Sequence, residues 1–204
     1  AGGNDIGVAD LNGDGSQDLL VVGYSQNSLS VLAGNGNGTF DSPVVIPASN
    51  GPLRLAIADF NGDGDPDLAV ANLDAENTGA NAVSVWLNES SDDSISFSPA
   101  PGSPYSGYLR PYGITSGDFN GDGAVDLAVV ARTAQQLLVL LGNGTGSFQA
   151  ADAPDINSNW GNSVAGADFD QDGFDDVLVG MGTNLNNPIV YSAPIFLGNA
   201  SGVL

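Results

Sequence analysis

Twenty residues of this 204-residue chain stand in one pattern, written four times, whose oxygens suit a hard cation. The copies are DLNGDGSQD at Asp10 to Asp18, DFNGDGDPD at Asp59 to Asp67, DFNGDGAVD at Asp118 to Asp126 and DFDQDGFDD at Asp168 to Asp176. When such a segment curls tightly, positions 1, 3 and 5 converge their side-chain oxygens, position 7 can add a carbonyl, and position 9 closes the sphere. The donors are then Asp10, Asn12, Asp14, Ser16 and Asp18 in the first copy, and Asp59, Asn61, Asp63, Asp65 and Asp67 in the second. The third offers Asp118, Asn120, Asp122, Ala124 and Asp126, and the fourth Asp168, Asp170, Asp172, Phe174 and Asp176. Ser, Asp, Ala and Phe at position 7 are what a position needed only for its backbone would show. Gly15, Gly64, Gly123 and Gly173 at position 6 are expected where a sharp turn would be obstructed by a side chain. All-oxygen ligands with several flexible carboxylates favour calcium over magnesium or a transition metal, about four ions in all.

Asp, Asn and Gly are also ordinary turn formers, which would account for the composition of these segments. That account leaves three or four acids within nine residues, four times over, repelling one another without a cation. An EF-hand fits less well, since its twelfth position is Val21, Val70, Val129 or Val179 where a glutamate is required. The flanks, moreover, read as strands.

Each loop follows a short alternating segment: Ile6 and Val8, Leu55 and Ile57, Ile114 and Ser116, Val164 and Gly166. Period two predicts a strand, and the decline to Ser and Gly predicts a crowded inner one. Leu11, Phe60, Phe119 or Phe169 comes directly after the first Asp and is expected to be a buried anchor. Apolar runs at Leu19 to Val22, Leu68 to Ala71, Leu127 to Val130 and Val177 to Val179 predict second strands. Third strands are predicted at Ser30 to Leu32, Val83 to Leu87, Leu137 to Leu141 and Ile195 to Leu197. A Gly/Asn turn with Phe40 or Phe148 ends the first and third of these, degraded in the second repeat, and a fourth strand is clearest at Val44 to Ile46.

The first aspartates stand 49, 59 and 50 residues apart, and no helical periodicity exceeds one turn. Four antiparallel strands in about fifty residues describe a propeller blade, so the expected fold is all-β, a β-propeller of four-stranded blades. The chain reads as one repeat array over residues 1–204, with blades near 1–50, 51–107, 108–158 and 159–204. GNASGVL puts Leu204 where Phe40 and Phe148 stand, so the last blade is expected to lack its fourth strand and to present an open edge. Residues outside this sequence would complete that edge, from a longer parent or a neighbouring copy.

Composition narrows the function. Three arginines and no lysine against 24 acids give a net charge of −21, unsuited to nucleic acid or anionic membrane. Thirteen acids occupy ligand-like loop positions, and the +8 of four divalent cations would bring the charge to −13. Neither Cys nor His is present, which removes thiol and imidazole chemistry and the usual zinc and iron sites. No stretch is long and apolar enough to span a bilayer, and Ala1 to Asn4 has no signal-peptide character. Weak oxygen-ligand calcium sites fill only near millimolar calcium, which places the chain outside the cell.

On these loops and turns the chain resembles the FG-GAP/VCBS repeat family, whose blades form the calcium-bearing β-propeller of integrin α-subunit heads and of many secreted bacterial proteins. The resemblance spans essentially the whole chain and implies that each loop joins the first and second strands of a blade. Gln171 for Gly in the fourth loop and the degraded turn of the second repeat depart from it. It implies a scaffold or binding role more often than catalysis.

With the loops on one face, the opposite face collects the connections into the first strands and those between second and third. They bring Arg54, Arg110, Tyr112 and Trp160, with Arg110 and Trp160 at the same offset before their Asp. Aromatic and Arg side chains among Asn, Ser and Gly suit sugar stacking or protein contact, although aromatics there also cap blade ends. Without His, Cys or Lys an enzyme would rely on an Asp pair, Tyr, Arg or the metal, and fourfold repetition argues for a structural duty. Asp175 and the Asp92, Asp93 pair are expected to be solvated, and N-x-S/T sequons occur at Asn37, Asn88, Asn143 and Asn199. The functional expectation is therefore a calcium-stabilised extracellular scaffold for adhesion or for a carbohydrate or protein ligand. The alternatives are a subunit that self-assembles through its open blade edge and a fragment of a secreted polysaccharide-degrading enzyme.

Overall fold

The computed structural model describes residues 4–73, 82–91, 94–106, 110–132, 134–151, 154–156, 161–181 and 193–202. Trp160, Leu204, the Asp92, Asp93 pair and most of the long connections after the second strands of repeats two and four lie outside them.

Four antiparallel sheets follow one another along the sequence. Sheet 1 contains β1 (Asp5–Ala9), β2 (Asp18–Gly23), β3 (Ser28–Leu32) and β4 (Val44–Pro47), in that spatial order. Sheet 2 repeats it with β5 (Pro52–Ala58), β6 (Asp67–Asn72), β7 (Ala82–Asn88) and β8 (Phe97–Pro99). One addition escaped the sequence reading: β9 (Tyr105–Ser106), part of the connection into the third repeat, pairs with β7. Sheet 3 is β10 (Pro111–Gly117), β11 (Asp126–Ala131), β12 (Gln136–Gly142) and β13 (Phe148–Ala150). In sheet 4 the described residues give three strands, β14 (Gly161–Ala167), β15 (Asp176–Met181) and β16 (Ile195–Phe196). Between strands, one turn of 3-10 helix at Tyr24–Gln26 is the only helical element among the described residues.

A single sheet has no core of its own, because its apolar side chains leave on two faces. The core is accordingly divided into three layers, each lying between consecutive sheets. Leu11, Leu20, Val22, Leu29 and Val31 of sheet 1 meet Leu68, Val70, Leu55 and Ile57 of sheet 2. Phe60, Ala69, Val83 and Val85 of sheet 2 meet Ile114, Leu127, Val129 and Leu140 of sheet 3. Phe119, Ala128, Val130 and Val139 of sheet 3 meet Val177 and Val179 of sheet 4. Strands β6 and β11 lie between two such layers and are buried along their whole length, which explains their uninterrupted apolar runs. By contrast β2 alternates, because among the described residues sheet 1 is covered on one face only.

The first strands of neighbouring sheets come close enough that an added side chain would crowd them. A Cβ on Gly166 would stand 3.1 Å from the Ser116 carbonyl oxygen, and one on Gly113 3.3 Å from Val164. The predicted crowding of the inner strand is therefore observed. The anchor expectation holds for Leu11, Phe60 and Phe119, which are 2%, 1% and 0% exposed, but not for Phe169. That ring is 44% exposed, because the face of sheet 4 that carries it has no neighbour among the described residues.

Phe60 fills the layer between sheets 2 and 3, where its ring meets Phe148 edge-on at 5.5 Å. Phe60→Ala should lower stability by about 3–5 kcal/mol through lost burial and the cavity left behind. A urea denaturation midpoint within error of the parent would contradict this account of the layer.

Candidate metal centres

Each Asp loop joins the first to the second strand of its sheet, as expected, and its shape is fixed by its own side chains. The position 1 carboxylate accepts two backbone N–H groups, from positions 4 and 6: Gly13 and Gly15 on Asp10 at 2.9 and 2.8 Å. The same pair recurs at Asp59 (2.7 and 2.9 Å), Asp118 (2.7 and 2.9 Å) and Asp168 (2.6 and 3.1 Å). Position 3 accepts from the N–H of position 5, and position 5 from that of position 7, as in Asp14 to Asn12 at 3.2 Å and Ser16 to Asp14 at 2.7 Å. Asp65, Ala124 and Phe174 are held on Asp63, Asp122 and Asp172 in the same way. These bonds wind the chain into a tight loop, and in the fourth loop they bring positions 1 and 3 close to position 9; among the described residues no other three acids meet so closely.

Position 9 does something that spacing alone did not reveal. Asp18, Asp67, Asp126 and Asp176 are fully buried, and each carboxylate bridges two distant N–H groups. One oxygen takes the N–H of the anchor: Leu11 (2.8 Å), Phe60 (2.8 Å), Phe119 (3.0 Å) and Phe169 (2.9 Å). The other takes the N–H that ends the third strand: Gly34 (2.8 Å), Asn88 (2.7 Å), Gly142 (2.8 Å) and Gly198 (2.9 Å). The residue therefore staples loop, second strand and third strand together. A carboxylate has about four lone-pair directions, so one hydrogen bond per oxygen leaves room for a cation.

The glycines at position 6 are required for a reason other than the expected obstruction. A Cβ at Gly15, Gly64, Gly123 or Gly173 would meet nothing within 4 Å, but φ there is +85°, +96°, +85° and +95°. Conformation, not space, excludes a side chain. Position 4 is also left-handed, at +76°, +78° and +72° for Gly13, Gly62 and Gly121, and Gln171 adopts +64° in the fourth loop. The missing glycine thus leaves the loop geometry intact.

In loops one to three the Asn side-chain amide donates to the position 5 carboxylate, at 3.0 Å in Asn12–Asp14. Loop four has Asp170 instead, and one oxygen each from Asp168, Asp170 and Asp176 lie within 4.8 Å of one another. Three carboxylate oxygens so close, without a cationic side chain among them, fit a divalent ion with oxygen ligands. Asp67 and Asp126 carry a related imprint. Burial pushes both carboxyls up to about 6, against the stabilising pull of their two backbone N–H groups and with repulsion from the other loop aspartates. Asp14 is held below its usual value by the Ser16 N–H, with help from Asn12.

Contacts between neighbouring loops replace two solvent-facing expectations. Asp175 is not simply solvated: its carboxylate accepts the Asp118 N–H at 2.9 Å, and its own N–H donates to the Asp118 carbonyl at 2.9 Å. Phe174 contributes more than a backbone, since its ring lies over Gly121 of the third loop. The degraded second turn also has a function. Asn88, in place of glycine, donates its side-chain amide to the Leu11 carbonyl at 2.8 Å and ties sheet 2 to sheet 1. The other junctions use the same acceptor through backbone donors, Gly146 to Phe60 at 2.9 Å and Asn199 to Phe119 at 3.1 Å.

At the opposite end the candidate ligand residues are brought only partly together. Arg54 donates to the carbonyls of Asn4 (2.9 Å) and Leu53 (3.0 Å), a structural engagement. Tyr112 lies under the Arg132 guanidinium, 4.9 Å from ring centre to cation, and exposed Arg110 precedes it with φ +58°. Arg132 was not singled out from the sequence, because nothing local shows that it folds onto Tyr112. Tyr105 belongs to the sheets instead: its hydroxyl accepts the Phe148 N–H and donates to the Pro101 carbonyl. A cleft of about 290 Å³ between sheets 1 and 2 was missed as well, since Trp86 reads as a strand residue. Ser49, Ser84, Trp86, Pro99 and Pro104 line it, and the buried indole N–H of Trp86 has no protein acceptor among the described residues.

Comparison with known proteins agrees with this architecture. The family model described as FG-GAP-like repeat matches residues 10–70 and 118–179. No curated protein matches the sequence. Among solved structures, an Agrocybe aegerita lectin that recognises non-reducing terminal N-acetylglucosamine is 18% identical, with a TM-score of 0.55. The V. cholerae biofilm matrix protein Bap1 is 20% identical with a TM-score of 0.52, and BBS1N, solved in complex with ARL6DN, 14% with 0.59. The alignments cover 95%, 95% and 97% of this chain but 52%, 27% and 54% of those chains. At these identities the likeness is one of fold.

Because Asp67 and Asp126 bind protons more readily folded than unfolded, their contribution to stability is full below about pH 4 and is lost as pH rises through about 6. Without divalent cations, the melting temperature should therefore be higher at pH 5 than at pH 7. A melt in chelator that rises from pH 5 to pH 7 would refute the assignment.

Proposed function

The chain belongs to the FG-GAP-like repeat family, and from that premise we propose that it forms part of a calcium-stabilised β-propeller, a scaffold that displays a carbohydrate-binding surface outside the cell. The observation that carries the calcium reading is the convergence of Asp168, Asp170 and Asp176 at a loop whose hydrogen-bond pattern is repeated in the other three. Positions 1, 3, 5 and 9 and the carbonyl of position 7 would hold the ion, whose charge would offset the crowded carboxylates. The calcium is structural in this reading, and its weak all-oxygen sites belong to a compartment with about millimolar calcium. A calcium-free protein should melt well below the loaded one, since each site contributes about 2.7 kcal/mol at a hundredfold excess over Kd. Superimposable melts in calcium and in chelator would end the calcium reading.

The ligand surface lies at the end opposite the loops. Its variable connections place Arg110, Tyr112 and Arg132 together on a chain otherwise nearly free of cations, and an aromatic ring beside guanidinium donors suits a sugar's apolar face and hydroxyls. The fold likeness to a lectin adds support. No catalytic step is assigned, because the acids repeat as four equivalent sets and the chain has no His, Cys or Lys. On a glycan array the parent protein should give hits that Tyr112→Ala loses at unchanged melting temperature. Hits that survive Tyr112→Ala but vanish in Trp86→Phe would place the site in the cleft between sheets 1 and 2.

A further inference from the structure

We propose that the sugar bound at the end opposite the Asp loops is an acidic one, its carboxylate or sulfate taken by Arg110 and Arg132. The inference rests on the carbohydrate reading and narrows it to one class of substrate.

Repeats two and three build the same corner from different side chains. In each, the first strand opens on a proline paired to the end of the second strand, Pro52 with Asn72 and Pro111 with Ala131, and bulges directly after it. The residue before the proline is left-handed, Gly51 at φ +69° and Arg110 at +58°. Its carbonyl accepts the N–H just past the second strand, from Leu73 at 2.8 Å and from Arg132 at 3.1 Å. The backbone is shared, but three side chains are exchanged. Repeat two places Gly51, Leu53 and Leu73 at this corner, with both leucines 8% exposed. Repeat three has Arg110, which is exposed, with Tyr112 and Arg132.

The shared backbone does not call for this exchange, and in two ways it works against it. A left-handed φ suits glycine, and a residue with a Cβ is less stable there. Two guanidiniums on facing positions also repel one another. They are two of the three cationic side chains of the protein, and the third, Arg54, is engaged by the carbonyls of Asn4 and Leu53. Strain and like charge gathered on one corner are accounted for by an anion that neutralises both cations, and the planar guanidinium fork suits a carboxylate or a sulfate. The Arg132 guanidinium is already held over Tyr112, 4.9 Å from the ring centre, and that ring offers the apolar contact a pyranose needs. Repulsion from the acidic loops is weak at this distance. The seven residues of β10 separate Arg110 from Asp118 by about 25 Å, against a screening length of about 8 Å. Asp155, bridged to Gln136, lies across β11 and β12 from Arg110. Two cations are too few for a nucleic acid on a chain of net charge −21, whereas a single acidic group on a sugar needs no more.

A glycan array probed in calcium should give hits that carry a uronate or a sulfate ester. Methyl esterification of a uronate hit, or desulfation of a sulfated one, should weaken binding about tenfold or more, and the two treatments tell which group is read. Arg110→Gly and Arg132→Leu, the residues of repeat two, should each weaken binding by a similar factor. Arg110→Gly should also melt at or above the parent temperature, because glycine relieves the left-handed corner, so its loss of binding is not a loss of fold. Neutral hits that Tyr112→Ala abolishes and the arginine variants leave intact overturn this inference and uphold the carbohydrate reading. The absence of any hit overturns both. Acidic hits that survive in both arginine variants, as calcium bridges at the Asp loops would produce, overturn the inference as well.

Discussion

The structure depends on a carboxylate placed where carboxylates are seldom found. Asp18, Asp67, Asp126 and Asp176 are buried completely, and each satisfies two backbone N–H groups that have no strand partner. One belongs to the anchor just past the first strand, the other to the residue that ends the third. Left unpaired in the interior, each would cost about 1–3 kcal/mol. No hydroxyl or amide of similar size accepts twice along these directions with the same strength, since bonds to an ionised acceptor are roughly twice as strong. The burial of a charge has its own cost, visible in the raised carboxyls of Asp67 and Asp126. The side chains at positions 1, 3 and 5 are therefore not independent of position 9. Under the proposed calcium reading they would turn a costly buried anion into one wall of a cation site.

From this staple the rest of the fold follows in layers. Once loop, second strand and third strand are fixed in register, each sheet presents two apolar faces, and stability comes from stacking sheet on sheet. Such an array behaves as a sum of nearest-neighbour interfaces, so equivalent faces differ only in what covers them. The same residue type shows both outcomes: Phe60 and Phe169 occupy one position of the repeat, 1% and 44% exposed. The junctions are also hydrogen-bonded through one atom, the carbonyl of the anchor. Leu11, Phe60 and Phe119 each accept from the following sheet, whether the donor is a glycine, an asparagine backbone or the Asn88 amide.

Features set by neighbours within ten residues could be read from the sequence. Period-two apolar patterns, the nine-residue spacing and the order of strands within a repeat all belong to that class, and so did the crowding of the inner strand, through Ser116 and Gly166. Contacts between repeats could not be read, because nothing in a single repeat records its neighbour. Asp175 looks like a spare acid until the Asp118 backbone is set beside it, and Phe174 like a free choice until Gly121 lies under its ring. Asn88 looks like decay of a glycine turn, yet it replaces a backbone donor with a side chain of the right reach. The position 6 glycines were placed correctly but for the wrong reason. A rule about turns does not distinguish lack of space from left-handed φ, and only the open surroundings of Gly15 and its equivalents do so.

The fourth loop carries this reasoning furthest. It has the most acid, with Asp170 where the others have Asn, and so it loses the amide that bonds to position 5 in its siblings. It also holds Gln171 at +64°, where a residue with a Cβ is less stable than glycine by about 1–2 kcal/mol. Both changes weaken the loop without an ion, and under the proposed calcium reading the added carboxylate would give it a charge better matched to a divalent ion. The Asp175 and Asp118 pair, present at this junction only among the four position 8 residues Gln17, Pro66, Val125 and Asp175, holds the loop to its neighbour regardless of ion. Under the proposed calcium reading the fourth loop would be the one most dependent on a cation, and it is also tied to the third loop through Asp175 and Asp118. That combination would let occupancy of the loop change without detaching the sheet that carries it.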